Sequence, residues 1–148
     1  MNLTLTPVRF KARAETEYAG KVGVVCGDVR MTYREFGERA DRLSNALVSL
    51  GTRIGERVAW LGYNCHRLLE AYYGVVQMGA VLLPLNIRLT PQEIAFILND
   101  SESTVLFFDR DFLPIVEAVR GSAETIQHYV PLEPMAGEMD YEQFISGG

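Results

Sequence analysis

The side chains of this 148-residue sequence whose types could carry catalysis are few: two histidines, His66 and His128, two cysteines, Cys26 and Cys65, and two neighbouring acids, Asp109 and Asp111. A serine nucleophile needs a base and an orienting carboxylate, and the sequence has no GxSxG elbow to present one. His66 reads as a residue at a helix start and His128 as an alternating strand residue. Cys65 beside His66 is not a dyad, because sequence neighbours on a helix point about 100° apart. Phosphate cradles need closely spaced glycines before a helix; neither GxGxxG nor GxxxxGK[ST] occurs, and Gly20, Gly23 and Gly27 are spaced for a hairpin turn. Asp109 and Asp111 follow an apolar run, where open α/β sheets place ligands, but a helix cap needs only one such oxygen and explains the pair more simply. Tyr72, Tyr73, Phe107 and Phe108 fall on helix and strand periods that make them core residues rather than a stacking platform.

Composition narrows the function classes further. A net charge of -5 excludes the concentrated basic face that nucleic acid binding requires. The basic turn Arg9, Lys11, Arg13 is followed at once by Glu15 and Glu17, as on a solvated helix face. The cysteines and histidines lack metal-ligand spacing, so no zinc site or disulfide framework is expected. Residues 1–10 have neither the basic nor the apolar region of a secretion signal, which makes cytoplasmic, reduced thiols the expectation. The longest apolar stretch, Ala71 to Leu85, is interrupted by Gln77, Gly79 and Pro84 and falls short of the roughly 18 residues of a membrane span.

The elements that must position these residues read as an α/β fold. A short amphipathic helix is expected from Pro7 to Ala19, with Val8, Ala12 and Ala14 near one face, then a hairpin of Val22–Cys26 and Val29–Thr32 turning at Gly27-Asp28. Thr32 and Glu35 form a capping box that starts a helix, whose stripe of Phe36, Ala40, Leu43, Leu47 and Leu50 ends at Gly51. Arg57–Leu61 is a buried strand, and Asn64 is placed to cap a helix that closes at Gly79. Ala80–Leu85 is a second strand, continuous enough in hydrophobicity to be covered on both faces, with Pro84 near its end. Thr90, Pro91 and Glu93 repeat the capping device for a helix facing Ile94, Ile97 and Leu98 inward. Thr104–Phe108, a helix over Asp111–Arg120 stopped by Gly121, and Ile126–Val130 complete the pattern. The result is an open, mainly parallel sheet with helices on both faces, preceded by an N-terminal helix and a small hairpin. Residues 1–130 form this unit, and 131–148 are a loop and the start of a further segment. An uncovered sheet edge near the end of the sequence suggests truncation and a tendency to self-associate.

Two segments carry a family resemblance. Met31-Thr32-Tyr33-Arg34-Glu35-Phe36 resembles the first core motif of the adenylate-forming superfamily, which includes the acyl-CoA synthetases. Val76 to Asn86 resembles the second, written roughly KxGAxxxPL[ND], with Gln77 in place of the usual lysine. Arg88 to Ile94 and Asp109 to Arg120 are similar to the fatty-acid and related carboxylic-acid CoA ligases, and the resemblance runs from Leu5 to Val130. It implies a reaction in which ATP and Mg2+ convert a carboxylate to an acyl-adenylate and the CoA thiol then displaces AMP. The family's phosphate loop of the form TSGTTGxPK, its adenine and magnesium segments and its adenylation lysine have no match in residues 1–148. Thr32, Tyr33, Glu35, Gly79, Ala80 and Pro84 are therefore expected to be structural positions, a helix start and a helix-to-strand corner. No catalytic, cofactor or metal role falls on this stretch, and ATP, Mg2+ and CoA belong to the full-length parent. The implied partners are the remainder of the ligase chain and a second copy in a homodimer. An independent binding module that kept the scaffold without the chemistry is the competing reading.

Overall fold

The computed structural model describes residues 6–148. Helix α1 (Pro7–Glu17) leads into a hairpin of β1 (Val22–Cys26) and β2 (Val29–Thr32). Gly27 turns the hairpin at φ 58°, a value that glycine reaches without a Cβ penalty. Helix α2 (Tyr33–Leu50) opens on the expected capping box: Thr32 N–H donates to Glu35 Oε2 at 2.7 Å, and Glu35 N–H donates to Thr32 Oγ1 at 3.2 Å. It ends on Gly51 in the left-handed conformation, φ 96°.

A parallel sheet follows, with strands β3 (Arg57–Leu61), β4 (Val81–Pro84), β5 (Val105–Phe108) and β6 (His128–Pro131) in the order β4-β3-β5-β6. Helices α3 (His66–Gln77), α4 (Pro91–Asp100), α5 (Leu113–Val119) and α6 (Tyr141–Ser146) complete the unit. Alternation along the strands sorts the core into two halves. On one face Val58, Trp60, Val105, Phe107 and Val130 pack against α2, α3 and α6. On the other, Ala59, Leu61, Leu106 and Phe108 pack against α4 and α5. Full burial of a valine, leucine or phenylalanine among them is worth about 1.5–3 kcal/mol relative to exposure. Trp60 and Phe107 stack at 5.5 Å, and Tyr141 and Phe144 close over Phe107 at 5.8 and 5.6 Å.

The structure corrects several expectations. β4 is not covered on both faces: it is an edge strand, with Val81 and Pro84 exposed and Leu82 and Leu83 half-buried. α3 begins one residue later than an Asn64 cap would give; Cys65 occupies the cap position and makes no side-chain cap bond. The helix after β5 is preceded by a 3-10 turn (Arg110–Phe112), because Pro114 fits only in the first turn of α5. Lys11, expected on a solvated face, is buried, and Tyr72, expected in the core, is exposed on the outer side of α3.

Both sheet edges share a device. Val81 N–H and Leu85 N–H donate to Glu56 and Trp60 carbonyls of the β3 side at 2.8 Å, so residues 82 and 84 of β4 turn their backbone outward. Likewise Leu132 N–H donates to Phe108 at 2.8 Å, which turns residues 129 and 131 of β6 outward. One outward position on each edge is a proline, Pro84 or Pro131, and proline has no N–H to offer another strand.

Candidate functional site

The motif residues lie in two places. Thr32, Tyr33 and Glu35 form the joint between hairpin and α2: beyond the capping box, Tyr33 N–H donates to the Lys21 carbonyl at 3.0 Å and the Tyr33 ring fills the space where a Cβ on Gly23 would sit. Gly79, Ala80 and Pro84 form the corner between α3 and β4. Gly79 takes φ 89° and accepts from Gly55 N–H at 2.8 Å, Ala80 is buried in the core, and Pro84 pairs in register with Trp60. Glu35 also lines a groove of about 440 Å³ whose walls include Met31, Arg39, His66, Arg67 and Glu142.

That groove holds the most concentrated charge network among the described residues. Glu70, fully buried on α3, accepts from Arg39 Nε at 2.7 Å and from the Tyr141 hydroxyl at 2.7 Å. Arg39 also donates to both oxygens of Glu142 at 2.8 Å, and Arg67 donates to Glu142 and to Glu133 at 3.2 Å. Burial works against the Glu142 charge, but the Arg39 and Arg67 hydrogen bonds outweigh it and hold its carboxyl below the usual carboxylate range. Burial and the adjacent Glu70 push the Tyr141 hydroxyl far up, so it stays a donor. Burial lowers His66, which keeps the imidazole neutral at pH 7, and raises the Cys65 thiol. A neutral imidazole beside a protonated thiol is not an activated nucleophile. The guanidinium groups of Arg39 and Arg67 are matched by carboxylates of this same chain, and what the network accomplishes is to fix α6 on α2 and α3.

At the carboxyl ends of β5 and β6, Asp109 does cap: its Oδ1 accepts from Asp111 N–H at 3.0 Å and starts the 3-10 turn. Glu133 accepts from Arg110 N–H at 3.2 Å, tying the two strand ends together. His128 is a half-buried residue at the start of β6, far in sequence and fold from the His66 groove. Glu70, Tyr141 and Glu142 escape a motif search. Their signal in the sequence is an acid at position 70 beside Ala71, on the inward stripe of α3, since a buried carboxylate needs a partner. No group of three or more His, Cys, Asp or Glu side chains that could hold a metal ion occurs among the described residues, and no helix there is long and apolar enough to cross a membrane.

The parallel sheet carries helices on both faces, the first motif starts a capped helix, the second forms a helix-to-strand corner, and Arg39 and Arg67 are tied to carboxylates of the same chain. The chain belongs to the family of AMP-binding enzymes, whose model matches residues 10–143. A long-chain-fatty-acid–CoA ligase of Thermus thermophilus is 51% identical over 116 residues, covering 77% of this chain and 21% of that protein. A peroxisomal butyrate–CoA ligase of Arabidopsis thaliana is 31% identical over 159 aligned residues, covering 99% of this chain and 28% of its own length. The crystal structure of an anthranilate CoA ligase in complex with anthranoyl-AMP matches 99% of this chain at a TM-score of 0.92 and 30% identity, over 29% of that chain. The chain thus spans between a fifth and a third of the length of these relatives, which are acyl-CoA ligases.

Proposed function

We propose that these 148 residues are the amino-terminal scaffold of an ATP-dependent fatty-acid–CoA ligase. The whole enzyme uses ATP and Mg2+ to form an acyl-adenylate and CoA to release the thioester. The observation that carries the fatty-acid reading is the 51% identity to the Thermus long-chain-fatty-acid ligase, above the 30% shared with the anthranilate ligase, whose acid is aromatic. Residues 1–130 act as the α/β subdomain, and residues 131–148 add α6, which packs on its α2–α3 face. The motif positions Thr32, Tyr33, Glu35, Gly79, Ala80 and Pro84 serve by geometry: they set where α2 and β4 begin, and hence where neighbouring polypeptide meets them. Partners are the rest of the ligase chain and a second copy of it, working in the cytoplasm.

The stretch itself does not catalyse adenylation. Stabilising a transferring phosphoryl group takes preorganised donors aimed at its oxygens; of the groove's guanidinium groups, Arg39 and Arg67 are occupied by Glu70, Glu133 and Glu142, and the third, Arg42, stands exposed on α2. ATP–pyrophosphate exchange, measured with fatty acids from short to long chain, is expected at background for the 148-residue chain. Extending the polypeptide through a TSGTTGxPK-type loop and the remaining ligase domains restores exchange, with long-chain acids preferred. Exchange by the 148-residue chain alone overturns the scaffold reading, and preference of the extended protein for an aromatic acid overturns the fatty-acid one.

A further inference from the structure

Helix α1 packs on α2 and α3 with little apolar adhesive. Its phenylalanine, Phe10, is 63% exposed, and the residue it buries is a cation, Lys11, at 8% exposure. Lys11 Nζ lies 2.7 Å from Asp41 Oδ1 on α2 and 3.1 Å from Glu15 one turn along its own helix. Burial opposes the ammonium charge, and the hydrogen bonds to Asp41 and Glu15 overcome it, so the lysine is held more strongly protonated than in water. Glu15 in turn lies in the notch left by Gly37 of α2, where a Cβ would collide with its carboxylate. The second ligand of Asp41 is Gln77 from the end of α3, whose Nε2 donates to Asp41 Oδ1 at 2.9 Å and to the Ala40 carbonyl at 3.2 Å.

We propose that α1 is a strap fastened over the α2–α3 surface by one buried ion, Lys11, and that a neutral residue at position 77 is what leaves Asp41 available to fasten it. The buried member of the pair is the lysine, and its partner Asp41 is 55% exposed, so it is Lys11 that needs the counter-charge, taken at the Asp41 Oδ1 it shares with Gln77. A glutamine at 77 contributes a hydrogen bond and no charge, so it leaves the Asp41 charge to Lys11. A lysine at 77 would satisfy Asp41 from α3 and set a like charge against Lys11. Under the strap lies a cleft of about 250 Å³ floored by Tyr33, Phe36 and Tyr73, with Phe36 and Tyr73 meeting edge to face at 5.3 Å. Loss of the ion uncovers that aromatic floor without disturbing the sheet, because the two core halves contain no residue of α1.

Amide hydrogen exchange followed by peptide fragments reads the strap separately from the rest of the chain. In Lys11→Met, exchange over residues 7–17 is expected to quicken at least ten-fold while α2, β3 and β5 keep their protection. Gln77→Lys is expected to quicken the same segment by a smaller factor. Gly37→Ala supplies a variant that cannot be dismissed as a folding failure: alanine favours the α2 helix, yet it evicts Glu15, so α1 should exchange faster in a protein whose thermal midpoint is unchanged or higher. Unchanged α1 protection in Lys11→Met, or α1 opening only together with the whole chain in both Lys11→Met and Gly37→Ala, overturns the proposal. Unchanged α1 protection in Gln77→Lys overturns the part assigned to position 77.

Discussion

Glu142 and His66 line one groove and respond to acid in the same direction for different reasons. The carboxyl of Glu142, resisted by burial but held by Arg39 and Arg67, has a folded pKa below its unfolded one. Its contribution is therefore full above the ordinary carboxylate value of about 4.3 and is lost as pH falls through the lower folded value. His66, lowered by burial, takes up its proton less readily folded than unfolded, so protons destabilise the fold as pH drops below the ordinary histidine value of about 6.5. Both effects act where α6 meets α2 and α3. The thermal midpoint is expected to decline from pH 7 to about pH 3, and Glu142→Gln should show a shallower decline below about pH 4.3, because its side chain no longer titrates. A slope remains even then, since Glu35 and Glu93 are also lowered by hydrogen bonds from the backbone and hydroxyl of Thr32 and Thr90. Parallel curves for the two proteins would show that the Arg39–Glu142–Arg67 tie carries no pH-dependent stability.

At the scale of elements, the two threonine caps make a comparison that separates local from tertiary support. The boxes at Thr32 and Thr90 have nearly the same geometry, with donor distances of 2.7 and 2.8 Å to the glutamate and 3.2 and 3.3 Å back to the threonine. Removing either side chain should cost about 1 kcal/mol by the general value for caps. Helix α2 has 18 residues and a further joint to the hairpin, whereas α4 has 10. Thr90→Ala is thus expected to fray the first turn of its helix more than Thr32→Ala does, read by exchange of the Glu93 and Ile94 amides against those of Glu35 and Phe36. These caps were legible in the sequence because a Thr-x-x-Glu box is complete within four residues. The parallel strand–helix order was legible for the same reason, as each run is local. The position of β4 was not: Val81 to Leu85 is equally apolar whether a strand lies at the centre or the edge, and only pairing with β3 alone decides it. Nor was the burial of Lys11, which depends on Asp41 thirty residues away. A still larger separation hid the Glu70–Tyr141 bond, whose partners are 71 residues apart. The motif positions could be found as residues, but not the groups that pack against them, Gly23, Lys21 and Gly55, because those contacts are set by the fold.

Across the whole molecule, the sheet's free edges decide how the unit meets other polypeptide. A strand added to β4 or β6 would need the outward N–H groups of residues 82 and 84 or of 129 and 131, and proline removes one donor from each pair. What remains is one outward amide per edge, Leu82 or Tyr129, too little for a regular ladder. The Arg120 guanidinium, 4.5 Å above the Tyr129 ring and 2.7 Å from Glu138, adds charge beside the β6 edge. Restoring the missing donor should make the edge adhesive. Pro84→Val on the β4 edge, where residue 84 is exposed, supplies an N–H and suits extended backbone. Light scattering coupled to size exclusion is expected to show concentration-dependent association of Pro84→Val at concentrations where the parent chain is less associated. A Pro84→Val, Leu82→Pro chain, which again withholds one outward donor, should revert toward the parent. Should Pro84→Val associate no more than the parent chain, the β4 edge is guarded by something other than its missing N–H.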